Sequence, residues 1–207
     1  MIPVQVLALQ YLPNACSALC KALSIHTPSL ALLTTDCDDA TYIALDQATK
    51  DAQVQVAFGR SFYAGAANAS TPHAGEVLGI LSADTPDAVR SGIASVLQHL
   101  QCIGFEEENG TPFLAHTISS CGSFLAQEAN VPLGSALAYL IAPPLESIVG
   151  LDAALKAADV RLCKLYSPPT ETNFGGGLLT GSQSACAAAC QAFRQAVSHI
   201  AQYPIER

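Results

Sequence analysis

Two stretches of the chain, IALDQATKDAQVQVAF (residues 43–58) and VGLDAALKAADVRLCK (residues 149–164), set Leu45-Asp46 over Leu151-Asp152, Lys50 over Lys156 and Val54 over Val160. Each reads as an amphipathic helix that passes at once into a strand, because apolar residues recur at helical spacing up to the lysine and at alternate places beyond it. The match is a repeat within one chain, and a repeat of this length sets the architecture before any single residue is weighed.

Working outward, the repeat extends in both directions. A loop rich in small and turn-forming residues follows each copy, GRSFYAGAANASTPHAG (residues 59–75) and SPPTETNFGGG (residues 167–177). An apolar strand comes next, EVLGILS or LLTGS, and then a helix, TPDAVRSGIASVLQHL or SACAAACQAFRQAVSHI. Upstream, SLALLTTD (residues 29–36) matches SALAYLIAPP (residues 135–144), and ACSALCKALS (residues 15–24) matches GSFLAQEA (residues 122–129). The opening strand, residues 4–9, matches residues 113–118. Each half is therefore strand, helix, strand, helix, strand, loop, strand, helix. The spacing predicts an α/β (α+β) chain of two compact domains, 1–105 and 106–207, joined near residues 101–111, where EEENG supplies charge and a turn. Two copies of one domain in a chain suit alternate positions of a pseudo-symmetric ring.

Composition excludes several functions. Half of the 207 residues are hydrophobic and 13% are charged, against about 25% in an ordinary soluble chain, which predicts extensive subunit contact. The net charge is −8 and no Lys/Arg cluster occurs, so neither nucleic acid nor an anionic membrane is an expected partner. The first charged residue is Lys21, but Pro3, Gln5, Gln10, Pro13 and Asn14 break up any spanning or export segment, and VQVLALQ reads as a strand. Residues 172–193 are also uncharged and too polar to span. The eight cysteines include Cys16/Cys20 and Cys186/Cys190 at helical spacing among alanines, and read as reduced, small, buried residues of a cytosolic protein. His26, His73, His99, His116 and His199 offer no zinc-ligand spacing, and no metal is expected.

The acidic turn TTDCDDAT (residues 34–41) has three readings. Asp36 and Asp38 fit the start of a phosphatase DxDxT motif, with one aspartate as nucleophile and the next as acid/base, but the threonine falls one place late at Thr41. As a metal loop, Asp36, Asp38 and Asp39 lack the glycine turn and distal glutamate of an oxygen-ligand site. As a helix start, Asp38 or Asp39 caps the turn that contains Tyr42 and Ile43, where the helix dipole favours carboxylates. The second half has APPLES in this place, so the acids are not needed to build the fold.

Taken together, DCDDATYIALDQATK, GRSFYAGAANAS, AGEV, LAYLIAPPLE, LDAALKAADV, PPTETNF and LLTGSQSAC resemble the EutL-type ethanolamine-utilisation shell proteins of bacterial microcompartments. The likeness runs from about residue 29 to the C-terminus. It implies two tandem, circularly permuted microcompartment domains per chain, a pseudohexameric homotrimer that tiles with other shell proteins, and a shell component in place of an enzyme. It also implies a gated central pore for metabolites or cofactors, formed where loops of both halves, residues 59–71 and 167–177, meet at the threefold axis. Arg60, Tyr63, Ala64, Gly65, Asn68, Thr172, Asn173 and Phe174 are the gate residues by position. Tyr63 and Phe174 are plugs or loop anchors, and Arg60 is expected to meet a carboxylate of a neighbouring chain. The family's small pocket for ethanolamine, between the two domains, carries over to Asp38 and Glu76 as holders of the ammonium, with Phe105 and Thr172 beside the ligand. In that assignment Asp36 or Asp39 supports the turn and Asp38 meets the ligand. No cofactor is required; ethanolamine is an effector, and cobalamin enters by resemblance alone. Two other functions compete: a small-amine sensor with shell assembly secondary, and an aspartate-dependent phosphohydrolase at Asp36/Asp38.

Overall fold

The structure is a computed structural model that describes residues 1–63 and 65–205. Its element order is the one the repeat predicts. The first half runs β1 (Val6–Leu12), α1 (Ser17–Ala22), β2 (Ser29–Thr35), α2 (Asp38–Asp51), β3 (Gln55–Ser61), β4 (Val77–Ala83) and α3 (Pro86–Leu100). After a short strand β5 (Glu106–Glu108), the second half runs β6 (Thr111–Ile118), α4 (Ser123–Ala129), β7 (Ala136–Ala142), α5 (Pro144–Ala157), β8 (Val160–Tyr166), β9 (Gly175–Gly181) and α6 (Gln183–Gln202).

Two compact units result. One comprises Pro3–Ile103 with Gly122–Leu125; the other comprises Met1–Ile2, Gly104–Cys121 and the chain from Ala126 onward. The first holds an antiparallel sheet in the order β1-β2-β4-β3, and the second a sheet in the order β5-β6-β7-β9-β8. In each unit the strand before the loop is an edge and carries a register irregularity at the matching place, between Val56 and Phe58 on β3 and between Leu162 and Lys164 on β8. A shared bulge means that the repeat preserves backbone register and not merely the order of elements.

The central strands are apolar, and helices cover one face of them. On β7, Leu137 to Ala142 are all buried, and Ala138, Leu140 and Ala142 join Phe113, Leu179, Cys186, Ala189, Cys190 and Phe193 in the core under α5 and α6. The last helix of each half starts on a hydroxyl cap: Thr85 accepts from the Ala88 amide and Ser182 from the Ala185 amide, each contributing about 1 kcal/mol.

Four details differ from the sequence reading. β1 begins at Val6, two residues late, because the Gln5 amide donates to the Asp36 side chain at 2.7 Å in place of a ladder partner. EEENG is more than a joint: Asn109 and Gly110, both at positive φ, turn a hairpin between β5 and β6, as an Asn-Gly pair favours. Glutamate has poor strand propensity, but Glu106 takes two hydrogen bonds from Arg194 at 2.6 and 2.9 Å, and Glu108 accepts from Ser198 and Gln202; these partners on α6 override propensity. The three glycines of the second loop lie in β9. A Cβ on Gly177 would sit 2.6 Å from the Lys164 carbonyl and one on Gly175 2.6 Å from Pro168 Cβ, so the strand needs them bare. Finally, all eight cysteines are free thiols, but only Cys20, Cys121, Cys186 and Cys190 are buried; Cys16 and Cys102 are exposed.

Candidate functional site

The turn between β2 and α2 is built by threonines. Thr35 Oγ1 lies 2.7 Å from Thr41 Oγ1 and donates to the Cys37 carbonyl at 3.0 Å, while the Cys37 amide donates back to Thr35 Oγ1 at 3.3 Å. Thr41 Oγ1 also lies 2.8 Å from that carbonyl. Cys37 is the cap residue and no side-chain cap bond forms. Of the two acids expected to cap this turn, Asp38 or Asp39, Asp38 accepts one first-turn amide, that of Asp39, while the cap position itself is held by Cys37. Asp36 ties down the Gln5 amide, and Thr35 and Thr41 hold the turn.

Asp38 opens α2 and is 6% exposed. Its Oδ1 accepts from the Asp39 amide at 2.8 Å, and its Oδ2 accepts from Ser61 Oγ at 2.6 Å. Tyr42 Oη lies 2.6 Å from Ser61 Oγ. With the Ser61 proton spent on Asp38, the tyrosine is the donor of that pair, which gives a directed chain Tyr42 to Ser61 to Asp38. Burial raises the Asp38 carboxyl above its ordinary range, against the lowering effect of the Ser61 hydrogen bond.

Glu76 reaches the same turn from β4's leading end. Its amide donates to the Thr35 carbonyl at 2.7 Å and its carbonyl accepts from the Phe62 amide at 2.8 Å. The preceding Gly75 has φ +66, and a Cβ there would lie 2.0 Å from the Thr35 carbonyl oxygen, so only glycine lets the chain deliver Glu76 here. Asp38, Asp39 and Glu76 converge on Cys37, whose thiol is pushed well up by burial first and then by the charges of Asp39, Asp38 and Glu76. Carboxylates whose charges act on one turn favour a small cation there.

The predicted gate residues divide between strand and loop. Arg60 lies on β3 with its guanidinium 5.4 Å from the Phe58 ring. Tyr63 is 83% exposed. Ala64 lies outside the described residues. Gly65 has φ +60, and a Cβ on it would stand 2.6 Å from Glu76 Oε1; Asn68 ends a short 3-10 turn and donates its amide to the Gly65 carbonyl at 3.1 Å. In the second unit, Thr172 is 8% exposed with its hydroxyl 3.4 Å from that of Thr170. The Thr170 amide donates to the Phe174 carbonyl, Asn173 turns at φ +67, and the Phe174 ring meets Phe105 edge-on at 5.2 Å. Hence Asp38 and Glu76 belong to one unit, and Phe105 and Thr172 to the other.

One residue went unread. Asp46 is fully buried and accepts from the Gly122 amide at 2.6 Å and the Leu125 amide at 2.8 Å, so that the strap Gly122–Leu125 is held on α2. Burial raises its carboxyl, opposed by the bonds from Leu125 and Gly122. The signal was present, since Asp46 follows Ile43, Ala44 and Leu45 on the buried side of its helix. A buried charge there demands donors.

No protein-family model matches the chain. Among curated proteins it is 50% identical over 211 residues, covering 99% of this chain and 97% of the relative, to the bacterial microcompartment shell protein EutL of Clostridium perfringens. Among solved structures it is similar to the ethanolamine utilisation protein EutL of Leptotrichia buccalis, with 52% identity, a TM-score of 0.96 and coverage of 100% of this chain and 98% of that one. It shares its fold, at 19% identity, 96% and 90% coverage and a TM-score of 0.81, with the trimeric bacterial microcompartment shell protein PduB.

Proposed function

This chain belongs to the EutL family of bacterial microcompartment shell proteins, and from that premise we propose that it forms a homotrimeric tile whose central pore is gated by its two small-residue loops. It is a component of the shell in ethanolamine utilisation. Likeness to the family over almost the whole chain carries this reading, and the repeat supports it: three chains with two copies of one domain supply the six positions of a flat pseudohexamer. The low charge suits surfaces that are covered by neighbours. Other shell proteins are the expected lateral partners and small metabolites the traffic.

No catalytic step is proposed. Asp36 accepts from the Gln5 amide and Asp38 from Ser61 and the Asp39 amide, and the threonine of the DxDxT pattern stays one place late at Thr41.

The ligand in this proposal is a small primary ammonium, with ethanolamine as the effector. Asp38 and Glu76 hold the cation, and the Tyr42 to Ser61 chain keeps Asp38 oriented with one oxygen fixed. Gly65 supports a link to gating: the predicted gate loop rests its backbone on the Glu76 carboxylate, so a cation that draws Glu76 inward acts on that loop directly. A ligand shifts such an equilibrium only by its difference in affinity for the two arrangements.

Two measurements test this. Sedimentation velocity and negative-stain imaging of the purified chain should give a species of three times 21.4 kDa that packs into hexagonal sheets; a monomer that never forms sheets would sink the tile. Calorimetric titration with ethanolamine should show saturable binding that weakens about tenfold or more in Asp38→Asn and Glu76→Gln. Equal affinity in both variants would move the ligand elsewhere and leave the tile standing.

A further inference from the structure

We infer that residues 2–5 are a strap through which the acidic turn after β2 holds the second small-residue loop in place. Its bearing on gating rests on the ligand and gate reading above; the strap itself stands on the hydrogen bonds at its two ends.

Gln5 is gripped on both sides by one residue. Its amide donates to Asp36 Oδ1 at 2.7 Å and its carbonyl accepts from the Asp36 amide at 3.2 Å. Asp36 leads directly into Cys37 and Asp38, so this end is fixed to the turn that carries the ligand carboxylate.

At the other end, Ile2 belongs with the second unit. Its amide donates to the Phe105 carbonyl at 2.6 Å. Gly104 is buried, and a Cβ there would lie 2.4 Å from the Ile2 carbonyl oxygen and 3.2 Å from Met1 Cγ. The two backbones therefore touch at a point where only a residue without a side chain fits. Phe105 in turn sets its ring edge-on to that of Phe174 at 5.2 Å. Phe174 closes the loop: its carbonyl accepts from the Thr170 amide at 2.8 Å, and the Thr170 carbonyl accepts from the Asn173 amide at 3.0 Å.

Only Pro3 and Val4 join these ends. Proline has a fixed φ and no amide to give, and a span of at most about 3.5 Å per residue holds little slack. A displacement of Asp36 is thus passed to Ile2, and from Ile2 to Phe105 by a direct hydrogen bond. Gly65 sets the first loop against Glu76; the strap gives the second loop its own tie to the same turn. One cation bound at Asp38 and Glu76 then acts on both loops.

The test is hydrogen exchange of the full chain, read by mass spectrometry on the peptide that spans residues 167–177, with circular dichroism to confirm folding. Gln5→Pro removes the donor to Asp36 and alters neither the loop nor a ligand carboxylate. It should speed exchange of the loop by about fivefold, the equivalent of one lost hydrogen bond. Gly104→Ala, which drives the Ile2 carbonyl away, should do the same. Once Gly104→Ala has released the strap, adding Gln5→Pro should change nothing further, whereas independent effects would multiply to about twenty-five-fold. A loop that exchanges at the wild-type rate in Gln5→Pro, or effects that multiply, overturns the strap. Ethanolamine should slow exchange of residues 65–76 and 167–177 together in wild type, and of residues 65–76 alone in Gly104→Ala; a second loop that still responds in that variant overturns the strap as the route. A wild type that does not bind ethanolamine overturns the ligand reading, and the rates of the two unliganded variants still decide the strap.

Discussion

Asp46 and Asp152 occupy one place in the two copies of the repeat, and they have opposite environments. Asp46 is fully buried, and two amides of Gly122–Leu125 point at it. Asp152 is an exposed partner of Lys156 at 2.6 Å, with side chains 60% and 75% accessible. The helices share sequence, length and position in the sheet order, so neither propensity nor register explains the contrast. What differs is the chain that arrives on top. A residue kept through duplication thus keeps its backbone site, while its energetic weight is set by the neighbour.

The comparison breaks most readily at Asp46. Asp46→Ala leaves two buried amides without acceptors and should cost about 3 kcal/mol in urea denaturation. Asp152→Ala loses only a surface pair and should change stability by less than about 0.5 kcal/mol when measured on the dissociated chain. Equal losses in the two variants would mean that the strap on α2 contributes little.

The start of the same helices differs more sharply, with Cys37-Asp38-Asp39 in one and Pro143-Pro144 in the other. The first turn of α5 has the single Glu146 where that of α2 has the buried pair Asp38 and Asp39, and burial raises the Asp38 carboxyl. Ammonium binding needs that carboxyl ionised, so affinity should start to fall at a pH above the ordinary aspartate range as the solution is acidified. The stability term has the opposite sign. A carboxyl whose folded pKa is raised contributes fully below its unfolded pKa and loses that contribution as pH rises through the raised value. Titrations with ethanolamine at several pH values would show the first effect; an affinity that stays flat down to pH 4 would rule out Asp38 as a holder.

The two loops sharpen the contrast further. Gly65 and Asn173 both turn at positive φ, +60 and +67, and Ala at either place should cost about 1 kcal/mol. At residue 65 the added Cβ also presses on Glu76 Oε1. Gly65→Ala should therefore alter ethanolamine affinity, whereas Asn173→Ala should leave it unchanged at a similar loss of stability. If the two variants changed affinity alike, Gly65 would not be a link between loop and ligand.

The sequence made the repeat legible because its evidence is local: Leu-Asp, Lys and Val recur at fixed spacing, and strands and helices follow from periodicity. It did not reveal the role of Asp46, because its partners lie more than seventy positions away and are main-chain amides, which leave no residue signature. Strand β5 was hidden for a similar reason. Three glutamates in a row read as charge, and only Arg194, Ser198 and Gln202 on a distant helix make them a strand. At the acidic turn, counting carboxylates drew attention from Thr35 and Thr41, whose hydroxyls hold the backbone there. Asp38 and Glu76 could be picked out by resemblance, and their convergence on Cys37 is a product of the Gly75 turn.

The smallest predicted effect lies at the other end of α2. Asp51 Oδ2 accepts from Ser95 Oγ at 2.6 Å and lies 3.0 Å from His99 Nε2, which ties α2 to α3. The second copy has Ala157 in this place and no such tie. The hydrogen bonds from Ser95 and His99 hold the Asp51 carboxyl below its ordinary value, so its contribution is present above the unfolded aspartate pKa and is lost as pH falls through the lower folded value. The side chain is half exposed, and solvent screening limits the term to a few tenths of a kcal/mol. Asp51→Ala, which copies the second half, should accordingly lower stability slightly at neutral pH, and the gap to wild type should close on acidification below the ordinary carboxylate range. A gap that instead widened toward low pH would mean that the tie acts through packing of Ser95 and His99 and not through the charge.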